Sequence, residues 1–157
     1  MQLRITGGYL KGKKITQNNK ISFRPTSSKI RESVFNRLIN NFLKDINFKT
    51  KDLRFIDIYS GSGIIGFEAL SRNFNHVTFF DKEEVITKSI YNNACRLNVE
   101  NKIDIFCMDA TKPLKSNNFG HVLYIDPPYE SKISIPTVIQ FEKKGWINKE
   151  SIIFIET

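Results

Sequence analysis

From residue 53 onward the chain alternates short, nearly continuous apolar runs with longer amphipathic ones, and this alternation constrains the fold more than any other feature. Leu53 to Tyr59 is apolar almost throughout, as a strand covered on both faces must be, and a glycine-rich turn leads from it into a helical stretch from Ile64 to Arg72. His76 to Phe80, Ile103 to Cys107, His121 to Ile125 and Ser151 to Glu156 read as further strands. Lys82 to Leu97 reads as a second helix, and about Pro136 to Lys144 as a third that stops at Gly145. Repeated β-α-β units imply an α/β fold with a doubly wound parallel sheet and right-handed crossovers. Ligands of such sheets bind beyond the carboxyl ends of the strands, so function is sought in the residues just after each strand.

The segment ahead of this alternation is different in kind. The whole chain of 157 residues carries a net charge of +8, but residues 1–51 hold 12 Lys/Arg against only Glu32 and Asp45, whereas residues 52–157 hold 12 bases and 14 acids. A basic front on a near-neutral body is the electrostatic footprint of polyanion binding, although a solvated surface in a Lys-rich composition has the same charge. The front opens with β-type runs broken by Gly7-Gly8 and Gly12, which suggests a small ribbon. Phe23-Arg24-Pro25 is extended, and one of Thr26, Ser27 and Ser28 caps a helix with apolar residues at Ile30, Val34, Leu38, Phe42 and Ile46, widened by Phe35, Ile39 and Leu43. Lys29, Arg31, Arg37 and Lys44 then point away from the body.

Several classes are excluded or disfavoured. No run approaches a membrane span, and no signal peptide opens the chain, so an intracellular location is expected. Cys95 and Cys107 form no C-x-x-C pair and read as buried fillers. With His76 and His121 the only histidines, a metal site or a Ser-His-Asp triad has little material.

The strand ends carry the chemistry. After the first strand comes Asp57-Ile58-Tyr59-Ser60-Gly61-Ser62-Gly63, with Gly66 three residues on, in the strand-turn-helix context that a nucleotide-binding glycine loop requires. Asp81, followed by Lys82, ends the second strand, where an acid can accept hydrogen bonds from ribose hydroxyls. Asp109, followed by Ala110, stands after the third, within reach of an adenine edge. Any one of these acids alone reads equally as a cap or a turn residue; three at successive strand ends favour an adenosine-type site. After the fourth strand stands Asp126-Pro127-Pro128-Tyr129, whose prolines cannot continue a ladder and hold Asp126 and Tyr129 rigidly at the mouth of the site.

Asp126-Pro127-Pro128-Tyr129 resembles the [Asn/Asp]-Pro-Pro-[Tyr/Phe] motif of S-adenosylmethionine-dependent methyltransferases that act on planar exocyclic amines. The resemblance extends to the front: Arg4-Ile5-Thr6-Gly7-Gly8, Lys11-Gly12-Lys13-Lys14, Arg24-Pro25-Thr26 and Arg31 to Asn36 are similar to the N-terminal segment of the bacterial 16S rRNA guanine-N2 methyltransferase family of the RsmD type. Gly66 to Arg72 and Gly145-Trp146 through Glu156 resemble the same family, so the match spans nearly the whole chain. Its members continue into a final pair of strands, so the expected fold is a Rossmann-like methyltransferase sheet with a basic N-terminal ribbon and helix, lacking C-terminal strands.

The resemblance implies a cytoplasmic, monomeric, metal-free enzyme. It would transfer a methyl group from S-adenosylmethionine to the N2 amine of a guanine in small-subunit rRNA, either naked or in an assembling subunit. Residues 1–51 would grip RNA and residues 52–157 would form the catalytic domain. Asp126, ionised at an ordinary carboxylate pKa of about 3.9, and the Pro127 carbonyl would hold the amine, with Pro128 stiffening the turn and Tyr129 stacking on the base. Asp57, Tyr59, Ser60, Gly61, Ser62, Gly63, Gly66, Asp81, Lys82, Asp109 and Ala110 would hold the cofactor. Arg4, Lys11, Lys13, Lys14, Arg24, Thr26 and Arg31 would contact RNA. Three other readings remain open at this point: an adenine-N6 methyltransferase acting on DNA or RNA, a dinucleotide-dependent oxidoreductase using Gly61, Gly63, Gly66 and Asp81, and a non-catalytic RNA-binding module.

Overall fold

The computed structural model describes residues 3–18, 26–44, 52–128 and 132–157. A two-stranded antiparallel ribbon, β1 (Leu3–Arg4) and β2 (Lys14–Ile15), precedes helix α1 (Ser28–Arg37). Then come β3 (Arg54–Ile58), α2 (Ile64–Ser71), β4 (His76–Asp81), α3 (Glu84–Arg96), β5 (Ile103–Cys107), β6 (Val122–Ile125), α4 (Ser134–Lys143) and β7 (Ile152–Ile155). Strands β3 to β7 form one parallel sheet in the order β5-β4-β3-β6-β7. The chain winds outward from β3 to β5 and then crosses back to β6, so the order reverses between β3 and β6.

The two-residue period of the strands sorts their side chains onto two faces. Phe55, Val77, Phe79, Val122 and Tyr124 pack with α1, α2, α3 and the ribbon residues Leu3, Ile5, Leu10 and Ile15 in one core. Ile56, Ile58, Phe80, Leu123 and Ile125 pack with Phe141 of α4 and with Trp146 in the other. Phe80 is the hub of the second core, with ring centroids 5.0 Å from Phe106, 5.0 Å from Phe141 and 5.2 Å from Trp146. Gly66 lets α2 lie close on the sheet: a Cβ there would stand 2.2 Å from Phe79 Cε1.

Helix α1 departs from its expected orientation. Ser27 caps it, accepting a hydrogen bond from Ile30 N–H through Oγ at 3.3 Å. Its buried line, however, runs through Arg31, Phe35 and Leu38, and Ile30 and Phe42 are each 49 % exposed. The α-helix ends at Arg37 and continues as a π-turn over Leu38–Phe42, closed by Leu43 N–H donating to the Leu38 carbonyl. That five-residue spacing brings both Leu38 and Leu43 into the core. Ile46 lies outside the described residues. The rotation follows from Glu68, a fully buried acid on α2, because a charge cannot stay in an apolar interior without a counter-charge and hydrogen-bond donors.

The ribbon is anchored to α2 and α3. Tyr9 N–H donates to the Ser71 carbonyl, Ser71 Oγ takes the Leu10 N–H at 2.9 Å, and Gly8 approaches so closely that a Cβ would meet Ser71 O at 1.9 Å. Buried Asn93 accepts from Thr16 Oγ1 at 2.7 Å and donates to the Thr16 carbonyl at 2.9 Å. Both cysteines depart from the filler role, with Cys95 half-buried and Cys107 exposed where β5, an edge strand, ends. Among the described residues no helix is long and apolar enough to cross a membrane.

Candidate active site

Asp57, the fourth residue of β3, stands at the same level as Phe79 of β4 and Tyr124 of β6. It is 2 % exposed, and its Oδ2 accepts the Gly66 N–H at 3.0 Å, which ties the strand to the first turn of α2. Burial, with the nearby Asp126 and Asp81 charges adding to it, holds its pKa well above the usual carboxylate range. The turn that follows is clamped from below. Ser60 donates through Oγ to the Asp57 carbonyl at 2.6 Å and accepts the Phe80 N–H at 3.1 Å, joining the ends of β3 and β4. Ser62 Oγ accepts the Ile64 N–H. The Asp57, Ser60 and Ser62 side chains, expected among the residues that hold the cofactor, are buried and shape the loop, whose own backbone donors need partners.

Tyr59 bends the chain out of the strand with φ 62, a conformation rarely adopted by a bulky residue. Its ring packs on the α4 side of the sheet, and its hydroxyl lies 2.7 Å from Thr137 Oγ1. Since Thr137 donates its single proton to the Ile133 carbonyl, Tyr59 is the donor of that pair. Burial raises the Tyr59 pKa. The loop is thus pinned to the first turns of both α2 and α4. Above it, a Cβ on Gly61 would meet nothing within 4 Å, so this side of the turn is open.

Asp81 rims the opening. Its Oδ2 accepts the Gly61 N–H at 3.0 Å and its Oδ1 the Glu83 N–H at 3.0 Å; burial nevertheless raises its pKa. Lys82 beside it is exposed. Asp109 is exposed and holds Thr111 through both N–H and Oγ1, bonds that lower its pKa. Ala110 is buried in the core under α4.

Across the switch point, Asp126 follows β6, and its N–H donates to the carbonyl of Ile58, the last residue of β3, at 3.3 Å. The Asp-Pro-Pro turn and the glycine loop therefore leave adjacent strands side by side. Asp126 is half-buried, and burial, with the Glu156 charge second, pushes its pKa up to about 6, above the ordinary value expected for it. Pro127 is half-buried and Pro128 exposed; Tyr129 lies outside the described residues.

Glu156 is the residue that strand-end reasoning passed over. It is the first residue after β7, and its Oε2 accepts the Tyr124 hydroxyl at 2.5 Å and the Thr26 hydroxyl at 3.1 Å. The acids at one edge complement a sulfonium cation, and the paired lone pairs of Asp81 suit a ribose diol. This donor set and the open side at Gly61 fit S-adenosylmethionine.

The expected RNA contacts divide. Arg31 is corrected: it is 2 % exposed, and its guanidinium donates to Glu68 Oε1 at 3.1 Å, the Thr26 carbonyl at 2.7 Å and the Arg4 carbonyl at 2.9 Å, leaving no face for a phosphate. Thr26 is corrected likewise, being buried with its hydroxyl given to Glu156. Arg4, Lys11 and Lys13 are exposed and Lys14 is half-buried. They lie with the ribbon against the carboxyl ends of α2 and α3, beside the amino ends of the strands; a five-residue strand, about 17 Å long, separates that level from Asp126. Arg24 lies outside the described residues.

Comparison with known proteins gives a consistent family. The model of the family described as "Conserved hypothetical protein 95" matches residues 3–157. The Ribosomal RNA small subunit methyltransferase D of Buchnera aphidicola subsp. Acyrthosiphon pisum is 34% identical over 97% of this chain and 76% of its own length. That of Escherichia coli K12 is 27% identical over 99% and 75%. The solved yhhF protein of Escherichia coli superposes with a TM-score of 0.82 at 26% identity, covering 99% of this chain and 80% of that one. A SAM-dependent methyltransferase from Thiobacillus denitrificans, solved in complex with S-adenosyl-L-homocysteine, shares the fold at 16% identity, with a TM-score of 0.63 over 84% of this chain and 49% of its own.

Proposed function

This chain belongs to the RsmD-type methyltransferase family, the one described as "Conserved hypothetical protein 95", and from that membership we propose that it transfers a methyl group from S-adenosylmethionine to the exocyclic N2 amine of a guanine in small-subunit rRNA. The observation that carries the reading is the Asp126 N–H bonded to the Ile58 carbonyl. It sets the Asp-Pro-Pro turn against the glycine loop across the switch point, so that an acceptor for an amine stands beside a cradle for a cationic nucleoside.

S-adenosylmethionine, when bound, supplies an electrophilic methyl group on sulfonium. Gly61 to Gly63 line its site, with Asp81 taking the ribose hydroxyls and Asp109 the adenine edge. The amine of guanine is a poor nucleophile because its lone pair is delocalised into the ring. Asp126 and the Pro127 carbonyl accept its two N–H bonds, favour the pyramidal nitrogen and aim its lone pair; Tyr129 stacks on the base. At neutral pH a group with a pKa of about 6 is about nine-tenths ionised, so Asp126 is ready to accept. As the amine nitrogen takes up the methyl group that the bound cofactor would supply, one N–H proton would leave through Asp126 to solvent. Positioning and electrostatics carry most of the work. A paired guanine must be flipped out or already unpaired for its amine to reach this edge.

Arg4, Lys11, Lys13 and Lys14 serve as phosphate contacts on an RNA that extends past the catalytic edge, and residues 1–51 act as its grip on the catalytic residues 52–157. The protein works in the cytoplasm as a monomer, on rRNA of an assembling small subunit. The test is Asp126→Ala, with S-adenosylhomocysteine binding and transfer of labelled methyl to unmodified small-subunit rRNA measured separately and the modified base mapped. Cofactor binding should persist and transfer should collapse. Transfer surviving within about tenfold, a loss of only about 1.4 kcal/mol, removes Asp126 from its role, and label on an adenine overturns the substrate.

A further inference from the structure

We infer that Glu156 is a specificity-determining residue of this same site: fixed by Tyr124 and Thr26, it presents a second carboxylate beside Asp126 that accepts the N1–H of the target guanine. The inference rests on the guanine-N2 reading above and explains what would make the site choose guanine over adenine.

The placement comes from sheet register. Ile125 of β6 pairs with Ile155 of β7, and Asp126 and Glu156 are the next residues of those two strands. The Glu156 N–H donates to the Ile125 carbonyl at 2.9 Å, so the pairing continues one step past the strands. Neighbouring parallel strands lie about 4.8 Å apart, and residues at one level of the pleat point to one side. The two carboxylates sense each other, since Glu156 is the charge that adds to burial in raising the Asp126 pKa.

Glu156 is also held. Tyr124 and Thr26 both donate to Oε2, and among the described residues Oε1 takes no hydrogen bond. A carboxylate fastened by one oxygen has little freedom left to lose when the other binds a ligand.

In the proposed pose a nucleobase whose exocyclic amine is at Asp126 lies with its N1 edge, not its N3 edge, toward Glu156 on the next strand. In guanine N1 carries a proton and sits next to the N2 amine, so two adjacent donors meet two adjacent acceptors. In adenine the ring nitrogen next to the N6 amine is a lone pair, and it would face an acceptor-only group. An acceptor left opposed in a closed site discriminates by about tenfold or more.

The probe is a small-subunit rRNA fragment bearing the target as guanosine, as 2-aminopurine riboside or as adenosine. 2-Aminopurine keeps the N2 amine, exchanges N1–H for a lone pair and lacks the 6-oxo group, so the change of preference on substituting Glu156 is what isolates N1. The wild-type protein should prefer guanosine to 2-aminopurine by about tenfold or more in kcat/KM, and in affinity measured with S-adenosylhomocysteine present. Glu156→Gln, whose amide can donate to that lone pair, should cut the preference at least fivefold while thermal unfolding shows it folded. Tyr124→Phe, which frees Glu156 from one anchor, should narrow it less. A wild-type protein that uses guanosine and 2-aminopurine within about twofold, or a Glu156→Gln preference equal to wild type, overturns the role of Glu156 and leaves the guanine-N2 reading standing. Preferential use or binding of adenosine overturns the guanine reading itself, and the inference with it.

Discussion

Arg31 and Glu68, 37 residues apart, meet in the interior with Nε 3.1 Å from Oε1. Glu68 also bonds Arg72 one turn along α2, and its Oε1 accepts both the N–H and the hydroxyl of Thr6 at 2.9 Å. Arg72 lies over the Phe35 ring at 4.7 Å. One buried carboxylate thus fastens the ribbon, α1 and α2 together, and the cations around it were available for that task only because α1 turned Arg31 inward.

Replacing Glu68 by Gln should therefore unfold the protein at clearly lower urea, a loss of about 3–5 kcal/mol, because two arginines are left buried around a neutral group. Lys88→Ala is the control, since its pair with Glu84 is exposed at 3.0 Å and such pairs contribute about 1 kcal/mol or less. Equal midpoint shifts in the two variants would show that the interior pair holds nothing together.

Asp126 should leave a signature in stability against pH. Its folded pKa of about 6 lies above the unfolded value of about 3.9, so the fold favours the protonated form. The stability this contributes is complete below about pH 4 and is lost as pH rises through about 6. Asp126→Asn, which stays neutral, should melt at about the wild-type temperature near pH 4 and gain on wild type up to about pH 6.5. A gap that is constant with pH would mean that the carboxyl titrates at its ordinary value. Methyl transfer should rise over the same interval, as the acceptor ionises.

Gly61 of the loop and Gly66 of α2 should respond differently to alanine. At Gly66 the added Cβ stands 2.2 Å from Phe79 Cε1, and overpacking of this kind costs about 1–3 kcal/mol. At Gly61 there is room, and the cost is that of a left-handed φ of 54, about 1–2 kcal/mol. Thermal unfolding with cofactor titration separates them: Gly66→Ala should lose mainly stability, and Gly61→Ala should lose cofactor affinity out of proportion to its stability.

RNA affinity should distinguish the ribbon lysines from the buried arginine. A Lys11/Lys13/Lys14 triple alanine variant should flatten the slope of log affinity against log salt by about 0.7–0.9 per lost phosphate contact. Arg31→Lys should leave that slope unchanged while lowering stability, since its guanidinium faces only protein groups. An unchanged slope in the triple variant would move the footprint away from the ribbon.

The β-α alternation read from periodicity matches the sheet closely: the expected strand Ile103 to Cys107 is β5 as observed, and α3 lies inside the expected 82–97. Asp81 ends β4 and Asp126 follows β6 as read, because a strand end is visible locally as the last residue of an apolar run before a turn; Asp57, read as following the first strand, is instead the fourth residue of β3. Arg31 was not legible in this way. Its helix carries enough apolar residues for two alternative stripes, and the one that won includes an arginine because of an acid on another helix. The available signal was Glu68 itself, a lone acid inside the apolar run Ile64 to Leu70.

Local pattern was enough to reveal the α/β architecture, the glycine loop, the acids at and near the strand ends and the Asp-Pro-Pro turn, since each depends on residues within a few positions of one another. It took the packing of the chain to reveal that Arg31 and Thr26 serve the interior, that the ribbon lysines lie a strand length from Asp126, and that Glu156 stands next to it. Those facts depend on strand order and on the pairing of a buried charge. Both are set by desolvation and by contacts between residues 30 to 130 positions apart, for which a linear pattern carries no period.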